Sequence, residues 1–399
     1  MASRRPAILG GKSVFEEEIF VTRPIIPDRE AYWLAASEIF DSAWLTNNGP
    51  TLLKLEESLM RRLDVAFCSS FSSGTAALLT ALRALDLRQQ VITTPFTFPA
   101  TVHCIEWNGL EPVFCDIDPE TYNLDPARVA EAIGSETSAL LPVHVFGNPC
   151  DVEAFAALRE KFDLKLIYDA AHAFGVRIGD RSIGTFGDVS ALSFHATKVF
   201  HTAEGGALVS GDSRLLEQIR LLRNFGIVDE NKVSGIGLNG KLSELHAALG
   251  LQTLKKIDQE TASRRDRVAR YVERFQAIEG LRLQRFHPGT ERNYFNFTLQ
   301  VDTSSFGLSR DQVHRALRAE KIVSRKYFSP LCSDNECYRH LPSALPENLP
   351  VATRLAGRIL SLPLYGSLPL DAVDAIADAL LNLRTHARGV ASATCGALP

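Results

Sequence analysis

Nowhere in this sequence does an apolar run approach the roughly 18 residues that cross a bilayer, so no helical membrane span is expected. No two cysteines form a C-x-x-C pair. The seven present (Cys68, Cys104, Cys115, Cys150, Cys332, Cys337 and Cys395) are odd in number and scattered. That pattern argues against a zinc site or a disulfide framework and points to a reducing compartment. Excess charge of one sign is also missing. Lys and Arg total 43 against 47 Asp and Glu, a net charge of −4, which gives no bulk attraction to nucleic acid or acidic membranes. There is no internal repeat. The one loose stretch, Gly389–Pro399, is rich in Ala, Gly and Ser and is expected to be a disordered tail. Arg4 and Arg5 lie near the start, but Glu16–Glu18 follow where a secretory signal needs apolar residues. The cytoplasm is the expected compartment.

What is present is ordinary globular material: 399 residues, 45% hydrophobic and 23% charged, enough for two or three domains. From about Asp28 to Gly250, helix-like and strand-like segments alternate. Leu52, Leu55, Leu59 and Leu63 keep a helical spacing. Strands are predicted at Val65–Ser69, Gln90–Thr94, Pro112–Cys115, Ala139–Val145, Leu164–Tyr168, Val189–Phe194 and Ala207–Ser210, with helices such as Gly74–Leu85, Pro126–Ile133 and Val152–Lys161 between them. Such alternation predicts an α/β fold with a mostly parallel central sheet flanked by helices, and ligands at the carboxyl ends of the strands. A helical stretch from Leu242 to Ile278 leads to a smaller α/β region. Strands are predicted there at Leu281–Gln284, Tyr294–Val301 and Ile322–Ser324, and helices at Arg310–Glu320, Pro350–Arg358 and Asp371–Arg384. The predicted domains are 1–250, an N-terminal segment and large domain, and 251–388, a small domain, before the tail at 389–399.

Four segments can carry chemistry. In Ser193-Phe-His-Ala-Thr-Lys198, a lysine follows a strand and precedes the pair Gly205-Gly206. A lone loop lysine is usually a solvated side chain. A desolvated one is a nucleophile that can form a Schiff base. In Leu166-Ile-Tyr-Asp169-Ala-Ala-His172, Asp169 ends an apolar strand. Alone it reads as a helix cap, but a buried carboxylate there can also pair with a protonated pyridine nitrogen, as pyridoxal 5′-phosphate (PLP) chemistry needs. His172 can donate to that ring's phenolic oxygen. In Phe71-Ser-Ser-Gly74-Thr75, small residues open a helix and can cradle a phosphate. In Thr94-Pro-Phe-Thr97-Phe98-Pro-Ala-Thr101, an aromatic can cover the ring or simply pack in the core. The order Thr75, Phe98, Asp169, Lys198, with spacings of 23, 71 and 29 residues, is far more specific than any one segment.

With these segments the sequence resembles the nucleotide-sugar aminotransferases of the DegT/DnrJ/StrS type, from about Ile25 to Leu383. The stretches Trp44–Pro50, Ser73–Leu78, Pro112–Asp118, Pro142–Gly147, Asp169–His172, the Lys198 segment and Gly237–Glu244 carry the likeness. The resemblance implies the aspartate-aminotransferase-like architecture (PLP fold type I) and PLP as cofactor. Lys198 is implied as the Schiff-base lysine and proton shuttle, Asp169 as the pyridine-nitrogen partner and His172 as the phenolate partner. Phe98 falls where an aromatic stacks on the ring, and Gly74, Thr75 and Ser193 where the phosphate is held. Asn239 matches an Asn that reaches the phosphate of a neighbouring subunit, which implies a homodimer with shared active sites. No metal is implied.

Within the family the sequence looks most like enzymes that aminate C4 of dTDP-4-keto-6-deoxy-D-glucose with L-glutamate as donor, on the stretches Leu45–Gly49, Gly147–Asp151 and Tyr327–Pro330. Thr46, Asn48, Arg325 and Tyr327 are the candidate substrate residues. Cys332 stands where many members have His, His201 and Ala203 differ from close relatives, and Lys241 replaces a common Arg. The rival readings are an aminotransferase for a 3-keto dTDP-sugar or a GDP-4-keto-6-deoxy sugar. A non-catalytic binding protein on this fold would be expected to lose Lys198 or Asp169, and both are present.

Overall fold

The computed structural model describes residues 4–276 and 278–395. The central sheet has seven strands: β1 (Phe67–Phe71), β2 (Gln90–Thr93), β3 (Glu111–Phe114), β4 (Thr137–Leu141), β5 (Lys165–Asp169), β6 (Val189–Ser193) and β7 (Gly206–Ser210). Their spatial order is β1-β7-β6-β5-β4-β2-β3. Strand β7 runs against both of its neighbours, and the other pairings are parallel.

Helices α1 (Arg29–Ser42), α2 (Pro50–Leu63), α3 (Gly74–Ala84), α4 (Pro99–Trp107), α5 (Pro126–Ala132), α6 (Val152–Phe162), α7 (Ser213–Arg223) and α8 (Glu244–Leu254) surround the sheet. Alternate strand residues enter two different cores. Val91, Leu141 and Ile167 pack with α3, α4 and α7. Ile92, Leu140 and Leu166 pack with α2 and α6. Burial on both faces is why these strands read as unbroken apolar runs in the sequence.

The small domain holds an antiparallel sheet of β8 (Leu281–Leu283), β9 (Phe297–Val301) and β10 (Ile359–Leu362), in the order β8-β9-β10. It packs on α9 (Ile257–Phe275) and the helices Arg310–Ala319 and Leu370–Thr385 around Tyr271, Phe275, Leu299 and Ile376.

Four expectations need correction. The helical stretch from Leu242 is two helices, α8 and α9, divided at Lys255 and Lys256. Ile322–Ser324 forms no strand; its backbone makes one bridge, Ile19 to Ile322. The tail expected from residue 389 is instead helical over Ala387–Cys395, because Val390 fits into the small-domain core; residues 396–399 lie outside the described residues. The N-terminal segment, grouped by sequence with the large domain, packs on the small one. Glu320 accepts from the Ala7 and Val14 amides at 2.8 and 2.9 Å and from Arg4 at 2.6 Å, and Leu9, Val14, Phe15 and Ile19 rest against the small-domain core.

Two of the stretches that carry the family likeness meet for a structural reason. The buried Glu244 carboxylate accepts from the Thr51 and Leu52 amides at 2.7 and 3.2 Å, filling the positive N-terminus of α2 just after Trp44–Pro50. A second buried carboxylate, Glu56, accepts from the Ser70 amide at 2.7 Å and from Arg223 at 2.9 Å. Arg223 also donates to Ser70 O at 2.7 Å and Asn48 Oδ1 at 2.6 Å, tying α7 to β1 and to the loop before α2. Glu56 and Arg223 side chains are 4% and 3% exposed, so removing the cation strands a buried anion. Arg223→Met is expected to destabilise the protein by about 3 kcal/mol, read as a lower urea midpoint. An unchanged midpoint would mean that Arg220, 3.6 Å from Glu56, suffices alone.

Candidate active site

The carboxyl ends of β1, β2, β5 and β6 converge on a cavity of about 360 Å³ that also meets the small domain at Phe295, Asn296, Tyr327 and Phe328. Its lining includes Gly74, Thr75, Phe98, Asp169, His172, Ser193 and Lys198, segments far apart in sequence.

Asp169 is the last residue of β5 and is buried. Its Oδ1 accepts from the Ala171 amide at 3.0 Å and its Oδ2 from Thr101 Oγ1 at 2.7 Å. Thr101 has a single hydroxyl proton, already committed to Asp169. Thr97 Oγ1, 2.8 Å away, must therefore donate to Thr101. Cys332 supports the same chain from the small-domain side, its thiol donating to Thr97 O at 3.3 Å.

His172 receives a proton from the Phe146 amide on Nδ1 at 3.2 Å. Nδ1 is thus an acceptor, and the neutral ring carries its proton on Nε2. Burial, with a smaller contribution from Lys198, holds its pKa well below the ordinary histidine value, so the ring stays neutral. It stacks on Phe295 with centroids 4.3 Å apart. Asn293 Nδ2 fixes its backbone by donating to His172 O at 2.8 Å.

Lys198 lies in the loop between β6 and β7, half-buried, with Nζ 5.1 Å from the Phe295 ring centroid. Burial of the ammonium pushes its pKa down to about 8, and Asp169 partly opposes that shift. The amine is therefore neutral in roughly a tenth of the protein at pH 7 and in most of it above about pH 8.

The phosphate-loop candidates sit at a point of close backbone approach. A Cβ on Gly74 would come 2.9 Å from the Ser193 Cβ, and one on Gly206 would come 2.6 Å from the Gly74 nitrogen. Ser73 Oγ accepts from the Ala76 amide at 3.0 Å, leaving the first amides of α3, Gly74 and Thr75, as the ones a helix start does not satisfy internally. Phe98 caps α4 and is 60% exposed against the cavity.

A profile of the DegT/DnrJ/EryC1/StrS aminotransferase family matches residues 28–381. The chain belongs to this family. Over 369 residues this aminotransferase is 42% identical to the dTDP-4-amino-4,6-dideoxy-D-glucose transaminase of Shigella dysenteriae, covering 92% of this chain and 100% of that one. It is 29% identical to the GDP-perosamine synthase of Vibrio cholerae, over 91% of this chain and 98% of that one. Among solved structures it is similar to DesI, determined in the presence of its TDP-sugar product, with a TM-score of 0.92, 36% identity, and 97% and 98% of the two chains covered. The α/β aminotransferase fold expected from the sequence is thus the one observed.

The residues fit PLP, the cofactor of this family. A small-residue cradle at a helix start, an aspartate with directed donors and a desolvated lysine all line one cavity. The aminotransferase brings Tyr327 to the cavity, but Thr46, Asn48, Asn239 and Arg325 are not part of the lining in a single chain. All four are exposed. Lining residues that sequence reasoning did not assign include Val21, Thr22, His195, Glu204, Phe295 and Asn296. Phe295 and Asn296 gave no motif signal, being read as part of a strand. Thr101, at the edge of the Thr94–Thr101 stretch, was seen without its role. His201 lies away from the lining. It is buried with Nε2 2.8 Å from Ile25 O, and Nδ1 accepts from the Ala203 amide at 3.2 Å.

Uptake of PLP by the apoprotein requires a neutral Lys198 amine. Because the group loses its proton as pH rises through about 8, the uptake rate should climb to about that pH and then level off. Stopped-flow absorbance measures this; a rate still climbing towards pH 10 would mark an ordinary, solvated lysine.

Proposed function

We propose that the protein transfers an amino group from L-glutamate to C4 of dTDP-4-keto-6-deoxy-D-glucose, giving dTDP-4-amino-4,6-dideoxy-D-glucose. The observation that carries this choice is the full-length similarity to the Shigella dysenteriae transaminase. The rival 3-keto and GDP-linked sugars have no comparable support, since the GDP-perosamine synthase relative is less similar.

In this reading Gly74, Thr75 and Ser193 would hold the PLP phosphate, Phe98 would cover the ring, Asp169 would pair with the pyridine nitrogen and His172 would donate from Nε2 to the phenolic oxygen. Bound there, PLP supplies an electron-accepting ring that stabilises negative charge next to the transferred nitrogen. Lys198 would hold the cofactor through Nζ when no donor is bound. Its Nζ then removes the proton from the donor's α-carbon. In the second half-reaction it delivers a proton to the sugar carbon that receives nitrogen. A single amine acting as base and then acid works best with a pKa near working pH, which burial provides. The Thr97–Thr101 hydroxyl chain keeps Asp169 aimed throughout.

Thr46, Asn48, Arg325 and Tyr327 contact the nucleotide-sugar in this proposal, and Asn239 reaches the cofactor phosphate of a second subunit. A homodimer is supported by the apolar groups on and beside α1. Trp33, Leu34, Phe40 and Trp44 are all at least half exposed, more than an isolated surface helix usually shows. The proposed setting is the cytoplasm, in a pathway making an aminodeoxy sugar for an O-antigen or an antibiotic.

The test incubates the protein with PLP, L-glutamate and either dTDP-4-keto-6-deoxyglucose or its 3-keto isomer, with products read by mass and NMR. Amination at C4 of the first is expected. Reaction of the 3-keto isomer alone would overturn the substrate. Lys198→Ala is expected to abolish turnover, and normal steady-state activity in that variant would remove its assigned role.

A further inference from the structure

We propose that Lys241 is a positioning residue that turns the Asn239 carboxamide so that its NH2 group, not its oxygen, is presented at the subunit boundary. This rests on the reading above, in which Asn239 reaches the cofactor phosphate of a second copy of the chain.

Lys241 Nζ lies 2.7 Å from Asn239 Oδ1 and 3.0 Å from Asn224 Oδ1. An ammonium has protons to give and no lone pair to accept with. Both amides must therefore turn their oxygens to Lys241 and their NH2 groups away. The two ends of an asparagine amide are told apart by such partners, and a lysine admits one solution. Asn239 is exposed, and its NH2 group is turned away from Lys241. The flipped amide would aim an oxygen at a phosphate oxygen, acceptor against acceptor.

The segment is also fixed along its backbone. Asn224 and Asn239 form an antiparallel bridge. The Phe225 amide donates to Leu238 O at 3.1 Å and the Gly240 amide to Arg223 O at 2.9 Å. Gly240 O accepts from the Ser72 amide at 2.8 Å, just before the protein's own phosphate loop. Lys241 Nζ lies 4.8 Å from the Phe225 ring centroid, which limits its own reach. The arginine common at this position in the family is likewise a donor without an acceptor, so the inference accounts for the exchange of one cation for the other.

The experiment is a double-mutant cycle on the full chain, with PLP affinity of the apoprotein measured by absorbance titration and the KM and kcat of each variant recorded beside it. Lys241→Met should weaken PLP binding roughly tenfold, and Asn239→Ala at least as much. The double variant should be no worse than Asn239→Ala, and Lys241→Arg should restore binding. Additive losses overturn the positioning role, as does wild-type affinity in Lys241→Met beside an impaired Asn239→Ala; either leaves the shared site standing. Wild-type affinity in Asn239→Ala overturns the shared-site reading, and this proposal with it. An independent arm needs no change at Lys241. Asn239→Asp keeps the contact with the ammonium but offers no donor, so it should bind PLP more weakly than Asn239→Ala. Equal or tighter binding overturns the donor assignment.

Discussion

At one point in this protein three chain segments come closer than any side chain permits. The end of β6 at Ser193, the start of β7 at Gly206 and the start of α3 at Gly74 occupy space that a single added methyl group would fill. The antiparallel setting of β7 creates this meeting. Because β7 runs against β6, the loop joining them leaves and re-enters the sheet at the same end of the strands. Lys198 is carried on that loop and so cannot stray from the strand ends. Because β7 also pairs with β1, the loop returns beside the turn into α3. The lysine and the phosphate cradle are thus placed by one hairpin-like connection, and both would shift if either glycine gained a side chain.

The polar groups of the cavity are aimed by neighbours in its wall as well as behind it. Asp169 depends on a hydroxyl chain that begins at Thr97, and His172 depends on a backbone amide from the loop after β4. Aromatic rings complete the arrangement: Phe295 and Phe328 lie nearly parallel to the His172 ring. Such support holds donors and acceptors in place before a ligand arrives, which lowers the reorganisation needed when charge develops.

Much of this was legible in the sequence because it is local. Strands buried on both faces write continuous apolar runs, and a carboxylate or lysine directly after such a run lies at a strand end by construction. Gly74, Asp169, His172 and Lys198 could be picked out on that basis, and the structure brings them into one cavity. What escaped depends on tertiary meeting. Phe295 and Asn296 come from the small domain, and Val21 and Thr22 from a segment with no helical or strand period. Glu320 gives no sign in the sequence that it collects the chain's first residues. The tail was misjudged because small residues read as disorder, whereas Val390 has a site waiting in the small-domain core. Thr46, Asn48, Asn239 and Arg325 could be named only through family resemblance, since none of them lines the cavity of a single chain.

The course of the N-terminal segment has a consequence for how the two domains share the cavity. Its first part is fastened to the small domain through Glu320, Val21 and Thr22 form part of the cavity wall, and Ile25 is held to His201 on the large domain. The segment is a tether whose two anchors lie on different bodies and whose midpoint touches the substrate space. Any rotation of one body against the other must be taken up between those anchors. Trimming the chain to about residue 25 would therefore cost more than a terminus: it would unglue one domain's surface, open a side of the reaction chamber and cut a mechanical link between the two halves in a single stroke.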